Sequence, residues 1–81
     1  MYGVFYSKTF MHRKHFRVVE DCLEDEFLLE TKADAERYAA WLVEDYENSS
    51  RVLEYVIWIV EYDENNRECG ERKIVGQKTR N

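Results

Sequence analysis

The residues of this chain most able to do chemistry are its charged side chains, which are sorted by sign along the sequence. Residues 1–19 hold four bases and no acid, whereas residues 20–47 hold eleven acids against Lys32 and Arg37, a sum of −9. The 81-residue chain as a whole carries a net charge of −5. Because polarised charge governs association with charged partners, binding is the first function class to consider.

The acidic part of the chain predicts a surface that imitates a nucleic acid. Carboxylates spread over a protein surface can take the places that phosphates occupy on a nucleic-acid-binding protein, and such association is steered and salt-sensitive. We therefore predict a non-enzymatic inhibitor that blocks the nucleic-acid-binding surface of a larger protein complex, by steric block and acidic charge mimicry. The residues predicted to contact the partner are Glu20, Asp21, Glu24, Asp25, Glu26, Glu30, Glu44, Asp45 and Glu47.

A basic segment near residue 15 supports an alternative function. Cations beside aromatic side chains are the usual ingredients of a phosphate and stacking site. Arg13, Lys14 and Arg17, with Phe16 among them and a basic C-terminal tail, would serve a small nucleic-acid-binding regulator. The sequence has no aromatic RNA-binding motif and no helix-turn-helix pattern to support this alternative. A homodimeric structural module is the third alternative.

Catalytic and cofactor motifs do not occur in the sequence. The three glycines are dispersed, so there is no phosphate-binding loop, and no serine lies in a nucleophile elbow. Cys22 and Cys69, with His12 and His15, match no structural zinc spacing, and we expect two reduced thiols. The acids at 20–26 lack the glycine and the alternating ligands of a calcium loop. We predict no enzyme activity, no cofactor and no metal site.

The longest apolar run, at residues 55–60, predicts the strand around which the other elements are arranged. The run is rich in β-branched and aromatic residues and is bounded by polar turn residues, so the strand spans about residues 52–62. Such a strand at the edge of a sheet would invite pairing with other chains. We therefore expect it to lie at the centre.

The remaining elements complete an α+β domain. They are strands at 2–10 and 16–20, a short strand at 27–29, a helix of about 16 residues from Thr31, and a charged edge strand at 67–75. The predicted fold is a single helix packed on one face of a mostly antiparallel four-stranded sheet, in the order β-β-(short β)-α-β-β. Residues 1–76 form a single domain and residues 77–81 a flexible C-terminal tail.

Side-chain periodicity assigns faces to these elements. In the first strand, Val4, Tyr6 and Phe10 share one side and Phe5 points to the other. Thr31 and Asp34 have the spacing of a capping box. The helix is predicted to end at a left-handed Asn48 and carries an apolar stripe of Ala35, Tyr38, Ala39, Leu42 and Tyr46, widened by Val43.

One helix cannot cover a four-stranded sheet, so aromatic residues are left on the uncovered side. Trp58 and Ile57 point to opposite faces of their strand. We expect a protein partner or a second copy of the chain to meet the uncovered side, unless long Tyr, Arg and Lys side chains cover it themselves. Trp58 is predicted to lie in the core. Trp41 is predicted to lie at the core margin with Arg37 stacked on it, and a role of Trp41 as a binding anchor is the alternative.

The segment FLLETKADAE at residues 27–36, a short strand that leads into a Thr-capped helix, is followed by an aromatic strand. This arrangement resembles small phage-encoded inhibitors of host machinery, among them anti-CRISPR proteins and the small phage inhibitor of bacterial RNA polymerase. The resemblance covers about half of the chain and transfers no functional residues. It implies a compact acidic protein that occupies a surface of a larger target in the host-cell cytoplasm. No apolar run is long enough for a membrane span and no signal peptide is expected.

Overall fold

A computed structural model describes residues 1–14, 16–23 and 28–79 of the chain. In this part the elements are β1 (Tyr2–His12), β2 (Phe16–Leu23), α1 (Lys32–Asn48), β3 (Val52–Tyr62) and β4 (Glu68–Lys78). The helix packs against one side of the four-stranded sheet, which confirms the predicted α+β class.

The sheet has the strand order β2-β1-β3-β4, and every neighbouring pair of strands is antiparallel. β1 and β3 occupy the centre, as predicted for the apolar strand. β2 and β3 run in the same direction on either side of β1, and α1 lies between them in the chain. The short strand predicted at 27–29 is reduced to one bridge, in which Leu29 and Tyr2 exchange backbone hydrogen bonds of 2.7 and 2.8 Å. Phe27 lies outside the described residues.

Alternation along the two central strands divides their side chains between the two faces of the sheet. Val4 and Ile57 are fully buried on the side that packs against α1. Phe5 and Trp58 lie on the opposite side, which we call the open face, with their ring centroids 5.5 Å apart. The prediction that Trp58 belongs to the core is therefore wrong, because the helix packs on the side that Ile57 faces.

The helix begins where the sequence predicts, because Thr31 caps it. Thr31 has an extended backbone, and its Oγ1 accepts a hydrogen bond of 3.2 Å from the backbone N–H of Asp34. The left-handed stop predicted at Asn48 is wrong, since Asn48 is still helical and Ser49 caps the end with a φ of −87°. The predicted stripe packs on the sheet, with Tyr38 and Val43 half-buried beside the buried residues Ala35, Ala39, Leu42 and Tyr46.

Besides β1, which runs to His12 and not only to residue 10, two strands are longer than the sequence predicts. β2 continues through Leu23, three residues beyond the end predicted at residue 20. β4 lies at the edge, as predicted, but Gln77 and Lys78 pair with β3 and extend the strand into residues assigned to the flexible tail. In both cases the long neighbouring strand offers backbone groups that need hydrogen-bond partners, and this outweighs the polar character of the side chains.

Candidate protein-binding surface

An exposed tryptophan lies on the outer side of α1. Trp41, Glu44, Asp45 and Asn48 follow one another at helical spacing, so they share one side of the helix and line a shallow depression. We call these four residues the Trp41 surface. The side of α1 that carries Leu42 and Tyr46 faces the sheet, and 59% of Trp41 stays exposed. The prediction that Trp41 closes the core margin is therefore wrong.

Tyr38 supports the indole of Trp41 from the preceding helical turn. The two ring centroids are 6.0 Å apart, with the ring planes inclined at 41°. Arg37 was expected to stack on Trp41, but its Nη2 instead donates a hydrogen bond of 2.9 Å to Asp34 Oδ1. One face of the indole therefore rests against a half-buried ring, while much of its surface meets solvent.

The charge around the Trp41 surface has one sign. Residues 38–50 contain three acids and no base, and the last turn of α1 holds no basic residue. The carbonyl groups at a helix C-terminus carry a partial negative charge, so acids placed there raise the local negative potential further. The surface is therefore suited to a positively charged partner.

Glu47, on the same half of the helix, is already engaged within the fold. Its Oε1 accepts a hydrogen bond of 2.6 Å from the Tyr55 hydroxyl on β3. Burial, followed by the hydrogen bond and the negative charge of Glu47, raises the pKa of Tyr55 to about 12. Glu47 therefore ties the end of α1 to the sheet and is less available to a partner than Glu44 and Asp45.

The other acids predicted for this site do not form a single surface with Glu44 and Asp45. Glu20 faces the helix side of β2, where its Oε2 lies 3.9 Å from Lys8 Nζ. Asp21 points to the open face, because neighbouring strand residues alternate. Glu30 is exposed just before the helix. Glu24, Asp25 and Glu26 lie outside the described residues.

Lys8 occupies a cluster of aromatic rings that the sequence interpretation missed. Its Nζ lies 4.9 Å from the centroid of the Tyr6 ring, 5.4 Å from that of Phe10 and 4.8 Å from that of Tyr46. The shared parity of residues 6, 8 and 10 was a signal for two of these contacts, whereas the contact with Tyr46 depends on the packing of α1. Lys8 therefore stabilises the junction of helix and sheet through cation–π contacts.

Part of the predicted basic site does come together at one end of the sheet. Arg13 and Lys14, in the turn after β1, line a depression with Met11 and Arg51. The backbone N–H of Met11 donates to the carbonyl oxygen of Arg51 at 2.8 Å, which brings the two segments side by side. Arg17 pairs with Met11 in the β1–β2 register. Arg51 was not predicted, because no local pattern connects it with residues 38 positions earlier in the chain.

The described residues contain no group of three His, Cys, Asp or Glu side chains arranged to hold a metal ion. In the same part of the chain, α1 is too short and too polar to cross a membrane. The chain matches no protein family, no characterised protein and no solved structure. Its surfaces are therefore the basis on which function is argued.

Proposed function

We propose that this protein is a non-enzymatic binding protein that inhibits a larger nucleic-acid-processing complex by covering its nucleic-acid-binding surface, in the manner of phage anti-defence proteins such as anti-CRISPR proteins. The observation that carries the proposal is the 59% exposure of Trp41 beside Glu44 and Asp45. A nucleic-acid-binding surface presents Lys and Arg side chains. These cations can pair with the two carboxylates and stack on the indole.

The energetics of the helix support a role of this kind. Acids near a helix C-terminus are unfavourable by about 0.3–1 kcal/mol each, because they oppose the helix dipole. Within the described residues, Glu44 and Asp45 make no ion pair or side-chain hydrogen bond that would offset this cost. Side chains that lower the stability of the fold in this way are expected where a surface serves function. Truncation to alanine of a tryptophan at the centre of an interface commonly weakens binding by about 2 kcal/mol.

The test compares three versions of the chain as immobilised bait in a lysate of the host cell. They are the wild type, the double variant Glu44→Lys/Asp45→Lys, and the control Glu64→Lys/Glu71→Lys, which makes the same change in net charge at exposed acids of the β3–β4 hairpin. Retained proteins are identified by mass spectrometry and purified. Displacement of a labelled nucleic acid from the purified partner is then titrated with each version.

We expect the wild type and the control to retain the same nucleic-acid-binding partner and to displace its nucleic acid. The Glu44→Lys/Asp45→Lys variant should fail in both assays, and displacement by the wild type should weaken as salt is raised. Equal retention by all three versions would contradict the role of the Trp41 surface. A partner that holds the chain and its nucleic acid together would contradict inhibition by occupancy.

A small nucleic-acid-binding regulator is the second candidate, supported by the position of Arg51 beside Arg13 and Lys14. Cations that converge from two segments can contact one phosphate backbone. The test is a gel shift with labelled duplex and single-stranded probes at low salt, using the wild type, Arg13→Glu/Lys14→Glu, and the control Arg67→Glu/Lys73→Glu. A shift abolished only by the Arg13→Glu/Lys14→Glu variant is the expected result. An absence of any shift in the wild type would remove this candidate.

A further inference from the structure

The open face of the sheet is apolar at its centre. Trp58 contacts Phe5 there, and Ile74 lies beside Trp58 on the neighbouring strand, with Val56 two residues along β3. Ile74 is 53% exposed, and Val19, at the β2 edge of the same face, is 66% exposed. Among the described residues, α1 packs only on the other side of the sheet. Phe5, Val56 and Trp58 are half-buried, and Val60 on the same face is 1% exposed, so the exposed apolar surface is concentrated at Ile74 and Val19 on the two edge strands. An apolar face that is covered only in part marks an interaction site.

A side chain of the protein itself covers part of this face. The Arg72 guanidinium lies 4.7 Å from the ring centroid of Phe5 and 5.9 Å from that of Trp58. Glu68 holds it there through hydrogen bonds of 2.7 and 3.2 Å. Arg72 therefore partly covers the side of the sheet that α1 leaves bare, as predicted for long side chains. It leaves Ile74 more than half exposed, so the cover is incomplete.

The charges on the open face favour contact between two like copies. The charged residues that the strand register places on this face are of both signs: Arg17, Arg72, Asp21, Glu54 and Glu68. Their sum is close to zero, although the whole chain carries −5. In a two-fold symmetric dimer the same patch faces itself, so it must not repel its own copy. The open face meets this condition, whereas the acidic outer side of α1 does not.

The register of the central strands supplies a matching geometry. Phe5 lies opposite Trp58, Ser7 opposite Val56 and Thr9 opposite Glu54 across the β1–β3 pair. Consider a two-fold axis that lies between the two stacked sheets, parallel to the strands and midway between β1 and β3. It would set Phe5 of each copy against Trp58 of the other. Ser7 and Thr9 are small, so two sheets can approach to the spacing of about 10 Å seen in sandwiches.

The area of the face sets an upper limit on such a contact. Four strands spaced by about 4.8 Å, with about nine residues each at about 3.4 Å per residue, give a face of roughly 600 Å². Because part of this face is already covered within one chain, two copies would bury at most about 1,200 Å² in total, at the lower end of specific interfaces. We infer that the open face joins two copies of this chain in a reversible homodimer, held by Phe5, Trp58 and Ile74. Interfaces of this size or smaller are typical of weak, reversible association.

The dimer is tested by sedimentation velocity from about 1 to about 500 μM, a range in which weak, reversible dimers dissociate and form. The variant Ser7→Arg adds a large charge at the centre of the open face and removes no apolar contact. Its matched control is Ala40→Arg, at an exposed position on the outer side of α1. Ile74→Asp is a second open-face variant, and far-UV circular dichroism verifies that each variant is folded.

Dimers are expected in the wild type and in Ala40→Arg, with at least a tenfold weaker association in Ser7→Arg and Ile74→Asp. In Trp41→Phe, Trp58 is the sole tryptophan of the chain, and its emission should shift to shorter wavelength as the dimer forms. A wild-type chain that is monomeric throughout the range would overturn the inference. So would a folded Ser7→Arg variant that dimerises like the wild type, because edge pairing or the helix would then be the interface.

Discussion

The sharpest prediction for the fold concerns Gly76, where the edge strand β4 passes beneath α1. Gly76 pairs with Ile57 in the β3–β4 register, on the side of the sheet that packs on the helix. A Cβ added at Gly76 would lie less than 3.0 Å from Val43 Cγ2, a separation that real Cβ atoms almost never show. The same Cβ would lie 3.5 Å from Val43 Cβ, which is an ordinary contact. The obstruction is therefore one methyl group.

Two opposing effects determine the stability of Gly76→Ala. Overpacking of this kind costs about 1–3 kcal/mol, and Val43 has little freedom to turn aside because β-branched residues strongly prefer one rotamer in a helix. Replacing glycine also lowers the entropy of the unfolded chain, which stabilises the fold by about 0.4–1 kcal/mol. We expect the overpacking to dominate, so that the free energy of unfolding falls by about 1–2 kcal/mol.

In a Val43→Ala background, the effect of Gly76→Ala on the free energy of unfolding should change sign. The obstructing methyl group is then gone, the Cβ of residue 43 lies 3.5 Å away in ordinary contact, and the entropic term remains. Gly76→Ala should therefore be neutral or stabilising by up to about 1 kcal/mol in that background. The coupling between the two positions is measured by urea unfolding of the four chains in a double-mutant cycle, with circular dichroism as the signal.

If Gly76→Ala lowered the free energy of unfolding equally in both backgrounds, the coupling free energy would be zero and this reasoning would be refuted. The reasoning would also be refuted if Gly76→Ala stabilised the otherwise wild-type chain. An unchanged dependence of unfolding on urea across the four chains is the control, since it shows that the unfolded state has not altered.

Two further predictions concern the ends of α1. Replacing Thr31 by Ala removes the oxygen that accepts a hydrogen bond from the Asp34 N–H and should lower the free energy of unfolding by about 1 kcal/mol. The control Thr31→Ser keeps a hydroxyl oxygen and should retain most of the wild-type stability. Equal losses of stability in the two variants, measured by urea unfolding, would contradict the capping role of Thr31. The pKa of Tyr55 is raised from 10.0 to about 12 in the folded state. The stability that its neutral phenol contributes is therefore complete below pH 10 and is lost as the pH rises from 10 to about 12, by up to about 2 kcal/mol. Thermal unfolding across this range should show a smaller decline in Tyr55→Phe than in the wild type, and identical declines would exclude a raised pKa at Tyr55.

The sequence by itself determined the local elements and the division of side chains within each of them. Thr31 and Asp34 marked the start of the helix, and the spacing of Ala35, Ala39 and Leu42 identified its inner side. Alternation separated Phe5 from Val4. These features follow from the periods of helix and strand and from hydrogen bonds between residues close in the chain, so a short segment is enough to specify them.

Only the tertiary structure decided which side of each strand faces the helix and which distant residues meet. Alternation placed Trp58 and Ile57 on opposite faces of the sheet, and the packing of α1 buried Ile57 although the sequence favoured Trp58 for the core. Arg51 joins Arg13 because β3 begins where β1 ends, and Gln77 extends β4 because β3 is there to pair with it. These outcomes depend on burial and backbone pairing between segments far apart in the chain, and no local pattern of residues encodes them.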